Sequence, residues 1–189
     1  MKVDKKYQVI YADPPWEYSN RIKKRNSTQV SLDTVYPQIN LEDICKLPIK
    51  NISDDNCILL LWVTDAYLLE SKKVIENWGF TYKTVAFYWL KKEKSGKQSC
   101  HMGMWTCKNG EICLLATKGK AHKLLKNRKI RQLVEAQRSD HSRKPNEVRK
   151  RIETMFPETD KIELFARTKT EGWDCWGNEV ENSIELKVE

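Results

Sequence analysis

The 189 residues predict an α/β fold with a largely parallel central sheet and helices on both faces. Short runs rich in β-branched and aromatic residues alternate with segments of helical spacing. One of those runs, Cys57-Ile58-Leu59-Leu60-Leu61-Trp62-Val63, carries no polar alternation, which is the pattern of a strand covered on both faces. No internal repeat or low-complexity linker divides the chain, so residues 1–189 are expected to form one domain.

Along the chain, Tyr7-Gln8-Val9-Ile10-Tyr11-Ala12 reads as a buried strand that stops at two prolines, which cannot donate to a ladder. The Cys57 to Val63 run is the expected central strand. Ala66 to Trp78 places Leu68, Leu69, Val74, Ile75 and Trp78 at helical spacings, and Gly79 supplies a stop. Thr81 to Leu90 and Glu111 to Thr117 predict two further strands, joined by a long polar connection over 91–110. Arg131 to Gln137 predicts an edge strand. Pro145 opens a helix whose stripe Val148, Ile152 and Met155 ends before Pro157, and Lys161 to Ala166 is the last predicted strand.

Composition narrows the setting. The balance of 40% hydrophobic and 32% charged residues is that of an ordinary globular chain. No apolar stretch reaches membrane-span length and the first residues lack the apolar core of a signal peptide, so a cytoplasmic location and no membrane partner are expected. The six cysteines are too dispersed for a disulfide framework, and reduced thiols are expected. A net charge of +8 and a pI near 9.1 suit a polyanionic partner where the charge is clustered. It clusters at Arg21, Lys23, Lys24 and Arg25, and again from Lys118 to Arg131, a stretch without an acid. These segments are either solvated loops or phosphate contacts. On the second reading the loops 17–36, 91–110 and 118–131 face a nucleic-acid target, with Arg21, Lys24 and Lys118 among the contacts.

Asp13-Pro14-Pro15-Trp16 is the most specific local feature. A residue before proline is held extended, so Asp13 and Pro14 are fixed at the tip of the first strand, where open α/β sheets bind ligands. The Asp13 carboxylate and the Pro14 carbonyl are two acceptors on a stiff turn. Two acceptors aimed at the hydrogens of a planar amino group favour a tetrahedral nitrogen, and the carboxylate stabilises positive charge as an alkyl group arrives. Such chemistry fits the amine of adenine, with Trp16 offering a face for the base, a contact worth roughly 1–3 kcal/mol. The other reading is a rigid turn with a packed tryptophan.

The order of segments resembles a known family. Asp13-Pro14-Pro15-Trp16, Leu61-Trp62-Val63-Thr64, His141-Ser142-Arg143-Lys144-Pro145, Lys161-Ile162-Glu163-Leu164-Phe165-Ala166-Arg167 and Trp176-Gly177-Asn178-Glu179 look like the successive motifs of the MT-A adenine methyltransferases. The resemblance runs from about Tyr7 to Glu179. It implies a Rossmann-like class I methyltransferase fold that uses S-adenosyl-L-methionine to methylate adenine at N6. It further implies catalytic roles for Asp13, Pro14, Pro15 and Trp16. Cosubstrate contacts would fall to Asp13, Lys144, Glu163, Phe165, Arg167, Asn178 and Glu179; apart from the resemblance, the backbone of Ile10 and Tyr11 is expected to close the adenine side. Tyr36, Trp62 and Lys144 would meet the target base.

The compact chain is similar to the members that act on DNA, with RNA, or a non-catalytic nucleic-acid-binding subunit of the same fold, as the alternatives. Either a monomer or a homodimer is compatible with it. Lys169 and Thr170 stand where the eukaryotic enzyme has histidine and asparagine, and only twelve residues precede Asp13, so part of the family's cosubstrate contact has no counterpart in the motif.

Singly, these residues have plainer readings: Lys144 an exposed first-turn lysine, Glu163 and Arg167 a surface pair, Asn178 a turn residue. No metal site is expected, because Cys100, His101, Cys107 and Cys113 contain no Cys-x-x-Cys pair. Met102, Met104 and Trp105, inside the polar connection, are either a wedge for opening a duplex or a small cluster packing the loop.

Overall fold

The computed structural model describes residues 5–17, 38–103, 105–138 and 143–186. Among the described residues seven strands make one sheet: β1 (Tyr7–Ala12), β2 (Ser53–Val63), β3 (Thr81–Lys92), β4 (Gly110–Lys118), β5 (Leu133–Gln137), β6 (Lys161–Leu164) and β7 (Asp174–Trp176). Their spatial order is β5-β3-β4-β2-β1-β6-β7. β1 pairs in parallel with β2 and β6, β6 with β7, and β3 with β5, whereas β4 runs against both β2 and β3. The sheet is therefore mostly parallel around one reversed strand, consistent with the Rossmann-like α/β expectation.

β1 and β2 lie at the centre, where neighbours on both sides satisfy their backbones and helices cover both faces. That is why every residue from Cys57 to Val63 is buried. On one face, α1 (Leu41–Lys46) and α2 (Ser71–Asn77) close a core of Ile10, Ile44, Leu59, Leu61, Val74 and Trp78. The Asn40 side chain caps α1 by accepting from the Asp43 amide at 2.9 Å, and the Trp78 indole N–H donates to the Ile44 carbonyl at 2.8 Å, tying the two helices together. On the opposite face, α3 (Asn146–Met155) lays Val148 and Ile152 over Val9, Tyr11, Leu60 and Trp62.

Differences from expectation concern short elements. α1 and β7 are too short to announce themselves by periodicity. The helix expected from Ala66 begins only at Ser71, after a single 3-10 turn at Asp65–Tyr67, and leaves Leu69 84% exposed. Among the described residues no helix is long and apolar enough to cross a membrane.

Reversal of β4 decides which loops share an edge. β1, β2 and β6 end where β3 ends and β4 begins, since Val63 faces Ile112 and Leu90 faces Gly110. The 91–110 connection therefore lies on the Asp13 edge. The 118–131 segment leaves from the far edge, where Cys57 faces Lys118.

Candidate active site

Asp13 follows the last residue of β1, and its carboxylate sits in a crowded recess that still leaves the side chain 29% open. The Lys144 ammonium, nearly buried, donates to Asp13 Oδ2 at 2.6 Å and lies 3.1 Å from Glu111 Oε2. Lys91 pairs with the other oxygen of Glu111, so charge alternates across the edge from Asp13 through Lys144 and Glu111 to Lys91. The Lys144 ammonium also lies 5.3 Å from the centre of the Trp62 ring, a cation over an aromatic face.

The two carboxylates that share Lys144 differ. Burial pushes the Asp13 carboxyl above the ordinary aspartate range; Lys144 opposes this and Glu111 adds to it, with a net rise. Burial acts on Glu111 in the same direction, but Lys144 and Lys91 together outweigh it and hold Glu111 below its ordinary value. For Lys144 burial favours the neutral amine, and Asp13 and Glu111 overcome it to keep the ammonium. Glu111 is thus a fixed counter-ion and Asp13 the more basic carboxylate, a separation typical of paired acids with distinct roles.

The motif turn is internally braced. The Trp16 amide donates to the Pro14 carbonyl at 2.9 Å, and the Ile39 amide to the Pro15 carbonyl at 3.0 Å. One lone pair of the Pro14 oxygen is thereby used, and a carbonyl has a second. The Trp16 indole donates to the Trp62 carbonyl at 3.0 Å and stacks on Tyr67 with ring centres 5.4 Å apart. Trp16 is only 4% exposed, so the expectation that it offers an open face to a base gives way: the ring anchors the turn. Trp62 is likewise buried rather than open, donating to the Tyr11 hydroxyl at 2.7 Å and meeting Trp89 edge-on.

A second ionic pair lies below the recess. Arg149 of α3 grips Glu163 of β6 with two nitrogens, one at 2.8 Å, and its third donates to Asn146 at 3.1 Å. Its guanidinium stands 5.5 Å from the centre of the Tyr11 ring. Arg149 engages one acceptor site on each oxygen of Glu163, a structural partner that the sequence reading did not expect, and each oxygen retains a second acceptor site. Arg149 also fixes the first turn of α3, and Lys144 immediately precedes the Pro145 that leads into it.

Beyond β6 and β7 the chain turns converge on the Asp13 edge. Phe165 adopts φ 61°, a left-handed conformation that costs a bulky residue roughly 1–2 kcal/mol, while its ring packs edge-on against Trp176 at 5.4 Å. Gly177 is required nearby because a Cβ there would lie 2.2 Å from the Ala166 carbonyl oxygen. This close passage sets Arg167 3.6 Å from Glu179, with Asn178 exposed beside it, and the charge of Arg167 reaches Asp13.

Other expected residues fall elsewhere. Ile10 is fully buried in mid-strand between Leu59 and Ile162, three residues and about 10 Å short of Asp13, so its backbone serves the ladders instead of a ligand. Lys118 donates to the Ser53 hydroxyl at 2.9 Å on the far edge; expecting it at the target ignored the reversal of β4. Arg21, Lys24 and Tyr36 lie outside the described residues. Sequence reasoning missed Glu111, Lys91, Tyr67 and Arg149. Only Arg149 left a signal, a charge adjoining the apolar stripe of Val148 and Ile152.

The MT-A70 family model matches residues 7–179. Over 199 residues the chain is 39% identical to the type II methyltransferase M.MunI of Mycoplasma sp, covering 98% of this chain and 83% of that protein. It is 29% identical over 186 residues to a probable N(6)-adenosine-methyltransferase MT-A70-like protein of Oryza sativa subsp. japonica, and 27% identical over 180 residues to the N(6)-adenosine-methyltransferase catalytic subunit METTL3 of Homo sapiens. These two matches cover 95% and 93% of this chain but only 24% and 28% of the relatives, so the chain spans about a quarter of their length.

Proposed function

The chain belongs to the MT-A70 family, and from that membership we propose that it is an adenine-N6 DNA methyltransferase that acts through Asp13 and the Pro14 carbonyl. Methyl transfer to adenine N6 in nucleic acid with S-adenosylmethionine as donor is the chemistry of the family. The choice of DNA rests on the match to a type II methyltransferase over 98% of this chain and 83% of that protein, and on the +8 net charge. The observation that carries the mechanism is the Asp13 carboxylate, held by Lys144 yet 29% open at the end of β1.

The residues present fit the donor. Its carboxylate calls for a cation, its ribose hydroxyls for polar partners, and its sulfonium for nearby negative charge. The close passage at Gly177 and Ala166 gathers Arg167, Asn178 and Glu179 on the edge that carries Asp13, and these are such groups. Bound there, S-adenosylmethionine supplies a methyl group on a positively charged sulfur, activated for displacement by an amine.

The protein's part is orientation and charge. Lys144 occupies Asp13 Oδ2, leaving Oδ1 to accept one hydrogen of the target amine, and the second lone pair of the Pro14 oxygen accepts the other. Held so, the nitrogen is tetrahedral and presents its own lone pair. As positive charge grows on that nitrogen, the carboxylate opposite it lowers the barrier, and its raised basicity suits it to receive the departing proton. Stacking of Trp16 on Tyr67 prevents the turn from relaxing.

Incubation of the chain with labelled S-adenosylmethionine and either DNA or RNA tests this reading. Label should enter adenine of DNA with the native chain and disappear with a folded Asp13→Ala variant. Equal incorporation by both would remove Asp13 from the mechanism. Label in RNA alone would favour the activity named for the eukaryotic relatives.

A further inference from the structure

The 91–110 connection holds two of the most exposed large apolar side chains of the described residues, Met102 at 96% and Trp105 at 95%. Such exposure excludes the reading in which they pack the loop, because packed side chains would be covered. Every other tryptophan of the described residues is buried or half-buried, Trp16, Trp62, Trp78, Trp89 and Trp173 at 7% or less. Leaving a full indole in water is unfavourable, and this one stands on a segment whose backbone is tied at His101 and Lys108.

The tip is well supported. His101 and Lys108 exchange backbone hydrogen bonds at 3.0 and 2.7 Å, which closes a small hairpin around Met102 and Trp105. Ser99, buried at its base, donates its hydroxyl to Glu93 at 2.6 Å. Lys108 pairs with Asp65 at 3.1 Å, two residues before the Tyr67 that stacks on Trp16. At the other root, Lys91 is held by Glu111, the partner of Lys144. The hairpin is thus bolted to both sides of the recess, and six residues of chain, at most roughly 20 Å, separate Glu111 from Trp105.

Charge selects the occupant. Of the five lysines in residues 91–110, Lys91, Lys92 and Lys108 are paired with Glu111, Glu135 and Asp65, while Lys94 and Lys97 are exposed on the turn below the tip. Two exposed lysines below an exposed aromatic match a polyanion with stacked rings. An adenine paired inside a duplex must leave the stack before its amine can reach Asp13, which opens a gap the size of a flat ring.

Resting on the reading of the chain as an adenine methyltransferase, we infer that this hairpin enters duplex DNA beside the target, where Trp105 fills the gap left by the extruded adenine. Met102 flanks it on the neighbouring step. Trp105 is then a positioning residue for a paired base and is dispensable for a base already free.

Two measurements test this. In the first, transfer is compared on a duplex with the target adenine paired to thymine and on the same duplex with an abasic site opposite it. Trp105→Ala should lower transfer to the paired target on the order of tenfold, with little loss on the abasic duplex, and Trp105→Phe should restore most of it. Equal losses on both duplexes, or no loss on either, would overturn the inference. In the second, which needs no activity, acrylamide quenching of tryptophan emission is followed as mixed-sequence duplex is added. Protection in the native chain that is missing in Trp105→Phe supports insertion, and unchanged quenching overturns it. Protection without any methyl transfer would leave the hairpin contact standing and remove the methyltransferase reading alone.

Discussion

Two ionic pairs lie close together in this molecule and do opposite things. Arg149 and Glu163 are both about nine-tenths covered, every oxygen of the acid is gripped by the guanidinium, and the pair is sealed between α3 and the sheet. Lys144 and Asp13 are joined by one contact, and the acid keeps 29% of its side chain open. A closed pair with matched forks orients a helix; an open pair with unequal exposure keeps a carboxylate basic and accessible. Pairing with a cation does not separate the two carboxylates, whereas the share of side chain left open, 29% for Asp13 against 10% for Glu163, does.

The contrast can be broken at its structural end first. Arg149→Met should strand the Glu163 charge and cost about 3–5 kcal/mol of folding free energy, read as a fall in the denaturation midpoint. Adding Glu163→Gln to it should recover part of that loss. If Arg149→Met left stability unchanged but abolished methyl transfer, the assignment of this pair to structure would be wrong.

At the other end, Asp13→Asn should lower the rate of methyl transfer roughly 10²–10³-fold, the usual effect of removing one preorganised electrostatic group, while shifting stability by only about 1 kcal/mol. Glu163→Gln, compared per folded molecule, should retain most of its activity. Comparable rate losses in the two variants would erase the distinction.

A smaller effect lies in the pH profile. On the proposed mechanism Asp13 acts in its ionised form, and its pKa in the folded protein is raised, so activity should fail on the acid side above the ordinary aspartate range. Since Lys144 opposes that rise, Lys144→Met should move the acid limb to still higher pH, apart from any loss in maximal rate. An unmoved limb would show that another group controls it. Glu111 has the reverse sign: its pKa is lowered on folding, so its contribution to stability is present above the unfolded carboxylate pKa and lost as pH falls through the folded one.

The smallest effect is expected on the far edge. Lys118→Gln should leave DNA affinity within about twofold and its salt dependence unchanged, because the ammonium is committed to Ser53. A substantial loss would place nucleic acid on both edges of the sheet.

Much of the frame was legible because its signals are local. The apolar run at Cys57 to Val63, the proline stop after Ala12 and the stripe of α3 each state their own structure through periodicity or steric exclusion. β7 and α1, three and six residues long, carry too little pattern to be read. At the site, Asp13 and Lys144 stood out through motif order, while Glu111, Lys91 and Tyr67 did not. Their relevance arises from strand pairing across the sheet, and nothing within a few residues of Glu111 announces that β4 brings it to Lys144.

By itself, then, the sequence determined an α/β chain with a rigid acidic turn at a strand tip and a family resemblance from end to end. Only the tertiary structure decided which charges meet. It turned Glu163 inward to Arg149, buried Trp16 against Tyr67, carried Lys118 to the far edge and left Trp105 in solvent. The physical reason is that a residue's chemistry is its own, but its exposure and its partners depend on strand direction and order, and the reversal of β4 is a property of the whole sheet.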